Sequence, residues 1–170
     1  MATCDNLPTG IGRGLVLSWV QGCGTDDPKT DATTPLIYTK PGFVETRGEN
    51  FTPRTVTSNT DSSGIYTDTT VIGNDIEITA SVLDAKDVAN VSSQQALRNY
   101  YITEVEAGRQ PSVWVRILDP LLEEYRYYFC NVTSLGRSAE DQGLRTGEFT
   151  FTAIPTYDEA NATYQSEPIV

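Results

Sequence analysis

The sequence predicts a mainly β domain with one α-helix. Several segments alternate apolar and polar residues with the period of two that is typical of strands packed on one side. A single segment, residues 92–108, combines helical spacing with a start signal and a stop signal. Strands and helices do not alternate along the chain, which argues against a doubly wound parallel sheet. The length of 170 residues fits one domain with a core of its own.

The chain opens with two extended segments. Residues 12–24, GRGLVLSWVQGCG, place Leu15, Leu17 and Trp19 on one face, which predicts a first strand. After a polar loop, residues 36–46, LIYTKPGFVET, resume an extended pattern that a Pro-Gly pair interrupts. This second segment therefore predicts a bend or an edge strand.

The clearest strand comes directly before the helix. Residues 75–83, DIEITASVL, alternate strictly and predict a strand with one packed face and one exposed face. The helix is predicted to begin at a capping box formed by Ser92 and Gln95 and to end near a glycine and a proline. Its core face is predicted to consist of residues three or four apart: Leu97, Tyr100, Tyr101 and Val105.

Three more strands follow the helix, at residues 112–118, 124–135 and 145–154. Their short connections predict an antiparallel meander. Residues 155–170 lose the strand period and predict a C-terminal arm or tail. The domain itself is predicted to span residues 1–154.

The aromatic residues of the second of these strands divide between its two faces. Tyr125, Tyr127 and Phe129 are predicted on one side, and Tyr128 with Cys130 on the other. Core packing is the simplest explanation of such a cluster, and a subunit interface, where tyrosine is enriched, is the alternative.

Composition excludes several functions. The net charge is −11 and there is no histidine, which disfavours a protein that reads nucleic acid and removes the commonest general base and metal ligand. Adjacent carboxylates such as those of Glu123 and Glu124 lie in predicted turns, so a solvated pair is the simpler interpretation than a hydrolase site. No catalytic residue, cofactor or metal is predicted. The three cysteines, at positions 4, 23 and 130, are predicted to be free thiols.

Nothing in the sequence predicts export or insertion into a membrane. The N-terminus has no basic region followed by an apolar one, and no window contains 18 consecutive apolar residues. The protein is therefore expected inside the cell, without a membrane partner.

A long polar stretch needs a separate explanation. Residues 43–70, FVETRGENFTPRTVTSNTDSSGIYTDTT, contain alternating charges and then a run of Thr and Ser. Extended segments flank them, so a loop of one hairpin, at about residues 46–70, is predicted rather than a linker between domains. Long loops within compact domains are usually functional or disordered.

The order of these features resembles that of the major tail tube proteins of long-tailed bacteriophages, which are related to secretion-system tube proteins. The resemblance covers residues 10–154 and rests on four stretches. These are GRGLVLSWV, LIYTKPGFVET with its polar loop, DIEITASVL before the helix QQALRNYYITEVEAGR, and YYFCNVTSLGRSAEDQGLRTGEFTFTAI. Some members of that family carry an extra immunoglobulin-like domain, whereas only sixteen residues follow the sheet here.

The resemblance implies a β-sandwich of two antiparallel sheets with one flanking α-helix, whose sheets close into a barrel between subunits. It also implies a virion protein, assembled in the host cytoplasm, whose hexameric rings stack into the tail tube. Expected partners are other copies of the chain, tail tip and tail terminator proteins, and genomic DNA that passes through without specific binding.

Two sets of residues are expected at the surfaces of such a tube. The loop that contacts the next ring is expected to use Arg47, Glu49, Phe51, Arg54, Asp61 and Tyr66. An acidic lumen is expected to use Glu45, Glu49, Glu77 and Glu148. The alternatives are a monomeric β-sandwich that binds a glycan or a host surface, and a hydrolase that uses carboxylates.

Overall fold

The fold is one antiparallel sheet that bends over its own core. The structure, a computed structural model, describes residues 15–29, 32–58, 68–83, 88–138, 146–158 and 161–169. Within these ranges the strands and the helix are β1 (Val16–Gln21), β2 (Phe43–Ser58), β3 (Asp68–Leu83), α1 (Val88–Glu106), β4 (Ser112–Asp119), β5 (Glu124–Ser138), β6 (Thr146–Ala153) and β7 (Tyr164–Pro168). The strand order is β1-β4-β5-β6-β3-β2, and β7 pairs with β5. The prediction of a mainly β fold with one helix is confirmed.

Strand β5 belongs to two layers. Its first half pairs with β4, from Glu124 to Asn131, and its second half pairs with β6 as far as Ser138. The pairing with β6 shifts register between Val132 and Ser134, and such irregularities are where a strand bends from one sheet to another. We call β1, β4, β7 and the first half of β5 the first layer, and β2, β3, β6 and the second half of β5 the second layer.

The core lies between the two layers and is built by alternation. Ile78, Ala80 and Val82 of β3 are buried, and so are Phe149 and Phe151 of β6. They join one cluster with buried residues of the first layer, namely Leu17, Trp19, Val113, Val115, Ile117, Tyr128 and Cys130. Burial of this apolar surface is the main term that favours the folded state.

Helix α1 packs at the end of the sheet where β3 finishes. Leu97 is fully buried, and Tyr100 and Tyr101 pack against the same core cluster. Gln94 donates from Nε2 to the carbonyl oxygen of Leu83 at 3.1 Å. Tyr100 donates from Oη to the carbonyl oxygen of Ser112 at 2.7 Å. These contacts fix the helix to both layers.

Two details of the helix differ from the sequence prediction. The helix begins at Val88, so Ser92 lies within it and is not the N-cap; a capping motif is a weak local signal when the preceding residues are also helical. Val105 is 49% exposed although it lies four residues after Tyr101. The neighbouring residues Ile102 and Glu106 are exposed as well, because the sheet does not cover the last helical turn.

The stretch predicted as a long loop is largely strand. Residues 46–58 belong to β2 and residues 68–70 to β3, and the two strands pair from Phe43↔Leu83 to Ser58↔Asp68. Threonine and valine favour strands even where polar neighbours hide the period of two. The predicted arm also contains a short strand, β7, which pairs with the first half of β5.

A second apolar cluster covers the outer face of the first layer. It contains Trp114, Tyr127 and Phe129, with Tyr38 and Tyr125 packed against them. The guanidinium of Arg116 lies 4.4 Å from the ring centroid of Tyr38 and 5.1 Å from that of Tyr125. The aromatic residues of β5 therefore divide between two apolar clusters, as the alternation predicts.

An ionic cluster around Arg126 joins the two layers. Arg126 of β5 contacts Glu49 of β2 at 2.8 Å, Asp119 at 3.0 Å and Glu124 at 3.4 Å. Tyr128 donates a short hydrogen bond from Oη to Glu49 Oε1. Burial, together with this carboxylate, raises the pKa of Tyr128 well above its ordinary value, so Tyr128 stays a neutral donor.

Replacing Arg126 by leucine should lower the free energy of unfolding by about 3–5 kcal/mol, because it leaves partly buried carboxylates without their cation. Arg54→Leu is the matched control, since the pair of Arg54 with Asp75 is exposed, at 62% and 59% of the side chains, and should cost less than about 1 kcal/mol. Urea unfolding followed by circular dichroism measures both. Equal losses would contradict the structural role of the Arg126 cluster.

Leu97→Ala should cost about 2–5 kcal/mol of stability, because it leaves a cavity in the core. Val105→Ala, on the same helix, should cost less than about 1 kcal/mol since its side chain is half exposed. Thermal unfolding of the two variants makes the comparison. A larger loss at Val105 would show that the helix packs through its last turn after all.

Candidate functional site

The outer face of the second layer is polar along all its strands. Successive strand residues point to opposite sides, so the residues between the buried positions of β3 and β6 share this face. We call it the polar face. It is formed by Thr46, Gly48, Asn50 and Thr52 of β2, Asp75, Glu77, Thr79 and Ser81 of β3, Glu148, Thr150 and Thr152 of β6, and Thr133, Ser134 and Gly136 of β5.

Hydroxyl groups line the middle of the polar face. Thr133 Oγ1 lies 3.0 Å from Thr152 Oγ1 and donates to the carbonyl oxygen of Thr150 at 3.2 Å. A shallow depression of about 210 Å³ lies beside them, lined in part by Thr46, Ser81 and Glu148. The face therefore offers hydroxyl groups and water rather than an enclosed pocket.

The charges on the polar face are mainly negative. Glu77 and Glu148 are exposed on neighbouring strands. Asp75 lies further along β3 and contacts Arg54 Nε at 3.0 Å. Within the described part of this face, Arg54 is the one basic side chain, and it is at the margin. A phosphate backbone would meet carboxylates and hydroxyl groups here, with almost no cation to neutralise it.

Of the four glutamates predicted for an acidic lumen, two share the polar face. Glu77 and Glu148 lie on it, whereas Glu45 is exposed at a register shift between Val44 and Thr46. Glu49 points to the opposite side, where its side chain is only 15% exposed and bonded to Arg126. Glu49 lies on the core side of β2 and not on the polar face, because its partner in the ladder is the buried Ile78.

The residues predicted to contact another ring separate in the same way. Arg47 is half-buried and lines a small cavity of about 20 Å³ with Leu15 and Ile117; burial lowers the pKa of its guanidinium. Phe51 is 46% exposed and makes edge contacts with aromatic rings of β5 and β7. Arg54 is exposed on the hairpin.

Two further residues predicted for that contact, Asp61 and Tyr66, lie outside the described residues.

The outer part of the β2–β3 hairpin extends beyond the rest of the sheet. Strand β6 pairs with β3 only from Glu77 to Leu83, so the residues nearer the turn of the hairpin pair only with each other. Val56, Val71 and Ile72 in this part are 50%, 58% and 63% exposed. Exposed apolar residues on a projecting hairpin are typical of a surface that another molecule covers.

Groups for other chemistry are sparse in the described part of the chain. No group of three or more His, Cys, Asp or Glu side chains there could hold a metal ion, and no described helix is long and apolar enough to cross a membrane. Cys23 and Cys130 are free thiols, and burial raises the pKa of Cys130 far above its ordinary value. Cys4 lies outside the described residues.

Comparison with known proteins identifies the fold. No family model and no curated protein matches the sequence. The structure is similar to a subunit in the C6-symmetric tail of a gene transfer agent particle, with a TM-score of 0.56 and 13% identity over 86% of this chain and 95% of that one. It is also similar to the SPP1 tail tube protein, with a TM-score of 0.57 and 12% identity over 93% of this chain and 78% of that one.

A subunit of the baseplate of the anti-feeding prophage matches as well, with a TM-score of 0.51 and 5% identity over 91% of this chain and 93% of that one. Identities this low establish the fold alone. The chain has the fold of tail tube subunits.

Proposed function

We propose that this chain is a structural protein of a bacteriophage tail, in which six copies form a ring and stacked rings form the tube that conducts DNA. The observation that carries the proposal is the polar face, which is exposed in the single chain and almost free of cations. A tube whose lumen is lined by this face would let a polyanion pass without binding it.

The edges of the second layer support ring formation. Strand β2 is a terminal strand of the sheet, and β5 beyond Val132 pairs with β6 on one side only within the described residues. Open edges tend to recruit further strands. A ring in which each copy joins its neighbours at these two edges would close them, and a contact between two different surfaces is what a ring of more than two identical copies requires.

The shared fold supports the stoichiometry. The tail of the gene transfer agent particle has C6 symmetry, and six copies of a strongly bent sheet arranged in the same way would enclose a channel. Tail tip and tail terminator proteins would then cap the two ends of the tube. The protein would be located in the tail of the assembled particle. The role is structural rather than enzymatic.

Native mass spectrometry and negative-stain electron microscopy of the purified chain test the proposal. Rings of six copies and stacked tubes are expected as concentration rises. A chain that stays monomeric at high concentration, with no rings or tubes, would contradict the proposal. Binding of glycans by that monomer would support the alternative of a binding module.

Glu77→Lys combined with Glu148→Lys should leave tubes intact but slow DNA passage. The substitutions place two cations per subunit, about twelve per ring of six, where phosphates would pass and be neutralised. We expect the infectious titre of particles with normal tails to fall by about tenfold or more.

Glu123→Lys is the control for that experiment, because Glu123 is exposed in the turn between β4 and β5, away from the polar face. A normal titre for the double variant would show that the polar face does not line the channel. Loss of tubes would instead place these glutamates in an interface.

Replacing residues 55–72 by Asn-Gly should abolish stacking and spare the fold. The two flanking residues, Arg54 and Gly73, are ladder partners, and Asn-Gly closes a two-residue hairpin without changing register. Rings without tubes are expected in the microscope, with a melting temperature close to that of the unmodified chain. Normal tubes would contradict a stacking role for the hairpin, and an unfolded variant would show that its outer part belongs to the core.

A further inference from the structure

The outer hairpin and helix α1 occupy opposite ends of the second layer. Helix α1 contacts Leu83, the last residue of β3, through Gln94, and its last turn follows Tyr100, which binds the carbonyl oxygen of Ser112. The described part of the hairpin ends at Asp68, the first residue of β3. With about 3.3 Å per residue, the two ends of β3 are about 50 Å apart. We take the axis of the proposed tube to follow β3, so that rings stacked in one direction would bring the hairpin end of one copy to the helix end of another.

The described part of the hairpin end carries exposed apolar side chains beside one arginine. Arg54 and Val56 are two residues apart on β2, on either side of a register shift in its pairing with β3, and their side chains are 62% and 50% exposed. The contact of Arg54 with Asp75 uses Nε, and a guanidinium has further N–H donors in a fork that suits a second carboxylate. This surface suits a partner that is apolar and acidic.

The last turn of α1 carries the complementary surface. Ile102 precedes Val105 by three residues and Glu106 by four, so all three lie on one side of the helix. Ile102 and Val105 are 50% and 49% exposed. The last turn contains no basic residue, so the negative end of the helix dipole makes a carboxylate unfavourable there. Among the described residues, the structure gives Glu106 no hydrogen bond or ion pair, whereas Glu104 binds Arg109 at 2.7 Å.

We propose that the hairpin of one copy docks on the last turn of α1 of a copy in the next ring, with Arg54 paired to Glu106 and Val56 packed on Ile102 and Val105. The inference rests on the proposed tube and names the partner surface of its stacking hairpin. A cation from the next ring would relieve the unfavourable carboxylate at the end of the helix, and the contact would cover apolar side chains at both ends of each subunit.

Charge exchange tests the pairing. Arg54→Glu and Glu106→Arg, each alone, should raise the concentration at which tubes form by about tenfold or more, because each places like charges in contact. The double variant R54E/E106R should return to within about threefold of the unmodified chain, as expected for a direct pair in a double-mutant cycle. Tube length is measured by electron microscopy and ring formation by native mass spectrometry.

Two controls separate the pairing from other effects. Asp75→Asn removes the partner of Arg54 within the chain but keeps the cation, so stacking should be unchanged. Glu123→Arg makes the same charge change as Glu106→Arg at an exposed turn outside the helix and should also leave stacking unchanged.

The outcomes distinguish the inference from the function on which it rests. Impaired single variants and a restored double variant would support the pairing. Tubes that form equally well from both single variants, or a double variant as defective as the single ones, would overturn it and leave the tube proposal standing. An unmodified chain that forms neither rings nor tubes would refute the proposed function, and the inference with it.

Discussion

The whole fold depends on β5 serving two layers at once. Because its first half pairs with β4 and its second half with β6, one continuous ladder covers both sides of the core. The bend also brings Glu49 of β2 over Arg126 of β5, although 77 positions separate them in the sequence. A flat sheet of the same strands would leave Ile78, Phe149 and Phe151 without cover, and their burial is what stabilises the fold.

Because of this bend, the alternation of side chains along each strand determines which polar groups lie on the outer surface and which lie between the layers. Glu49 of β2 pairs with Ile78, the residue that follows Glu77 on β3. This difference of one position places Glu49 in the Arg126 cluster and Glu77 on the polar face. The partly buried cluster pairs one cation with three carboxylates, so breaking it would leave uncompensated charge between the layers. Glu77 and Glu148 of the polar face are exposed, and they would set the charge of the proposed channel.

The sequence predicts the parts of the fold that have one buried and one exposed face. Strands β1, β4, β5 and β6, and β3 from Asp75 onward, follow from alternation, because their apolar residues are buried and their polar residues face solvent. Residues 46–58 of β2 and 68–70 of β3 are predicted as loop because no period of two marks them, and from residue 50 to residue 57 side chains on both faces of β2 are exposed. Strand β7 is short and pairs along one edge only, so its sequence shows an equally weak alternation of apolar and polar residues.

The candidate site was predictable to the same extent. Glu77 and Glu148 follow from the strict alternation of their strands. The position of Glu49 could not be predicted in this way. Alternation assigns it to one face of β2, but it does not show that Arg126 of the distant strand β5 contacts it there, in the interior. The exposure of Val105 could not be predicted for a similar reason. Helical spacing assigns Val105 to the same side of the helix as Tyr101, but burial also depends on whether the sheet extends as far as the last helical turn.

The distribution of charge bears on the proposed assembly. A net charge of −11 keeps separate copies apart at long range, yet a tube requires close contact between identical acidic subunits. That conflict is resolved if the contact surfaces carry little net charge. The outer hairpin and the last turn of α1 expose apolar side chains, and in the proposed contact Glu106 of the helix would pair with Arg54 of the hairpin. The remaining carboxylates would then face the channel or the solvent, where their mutual repulsion is screened within about 8–10 Å at physiological salt.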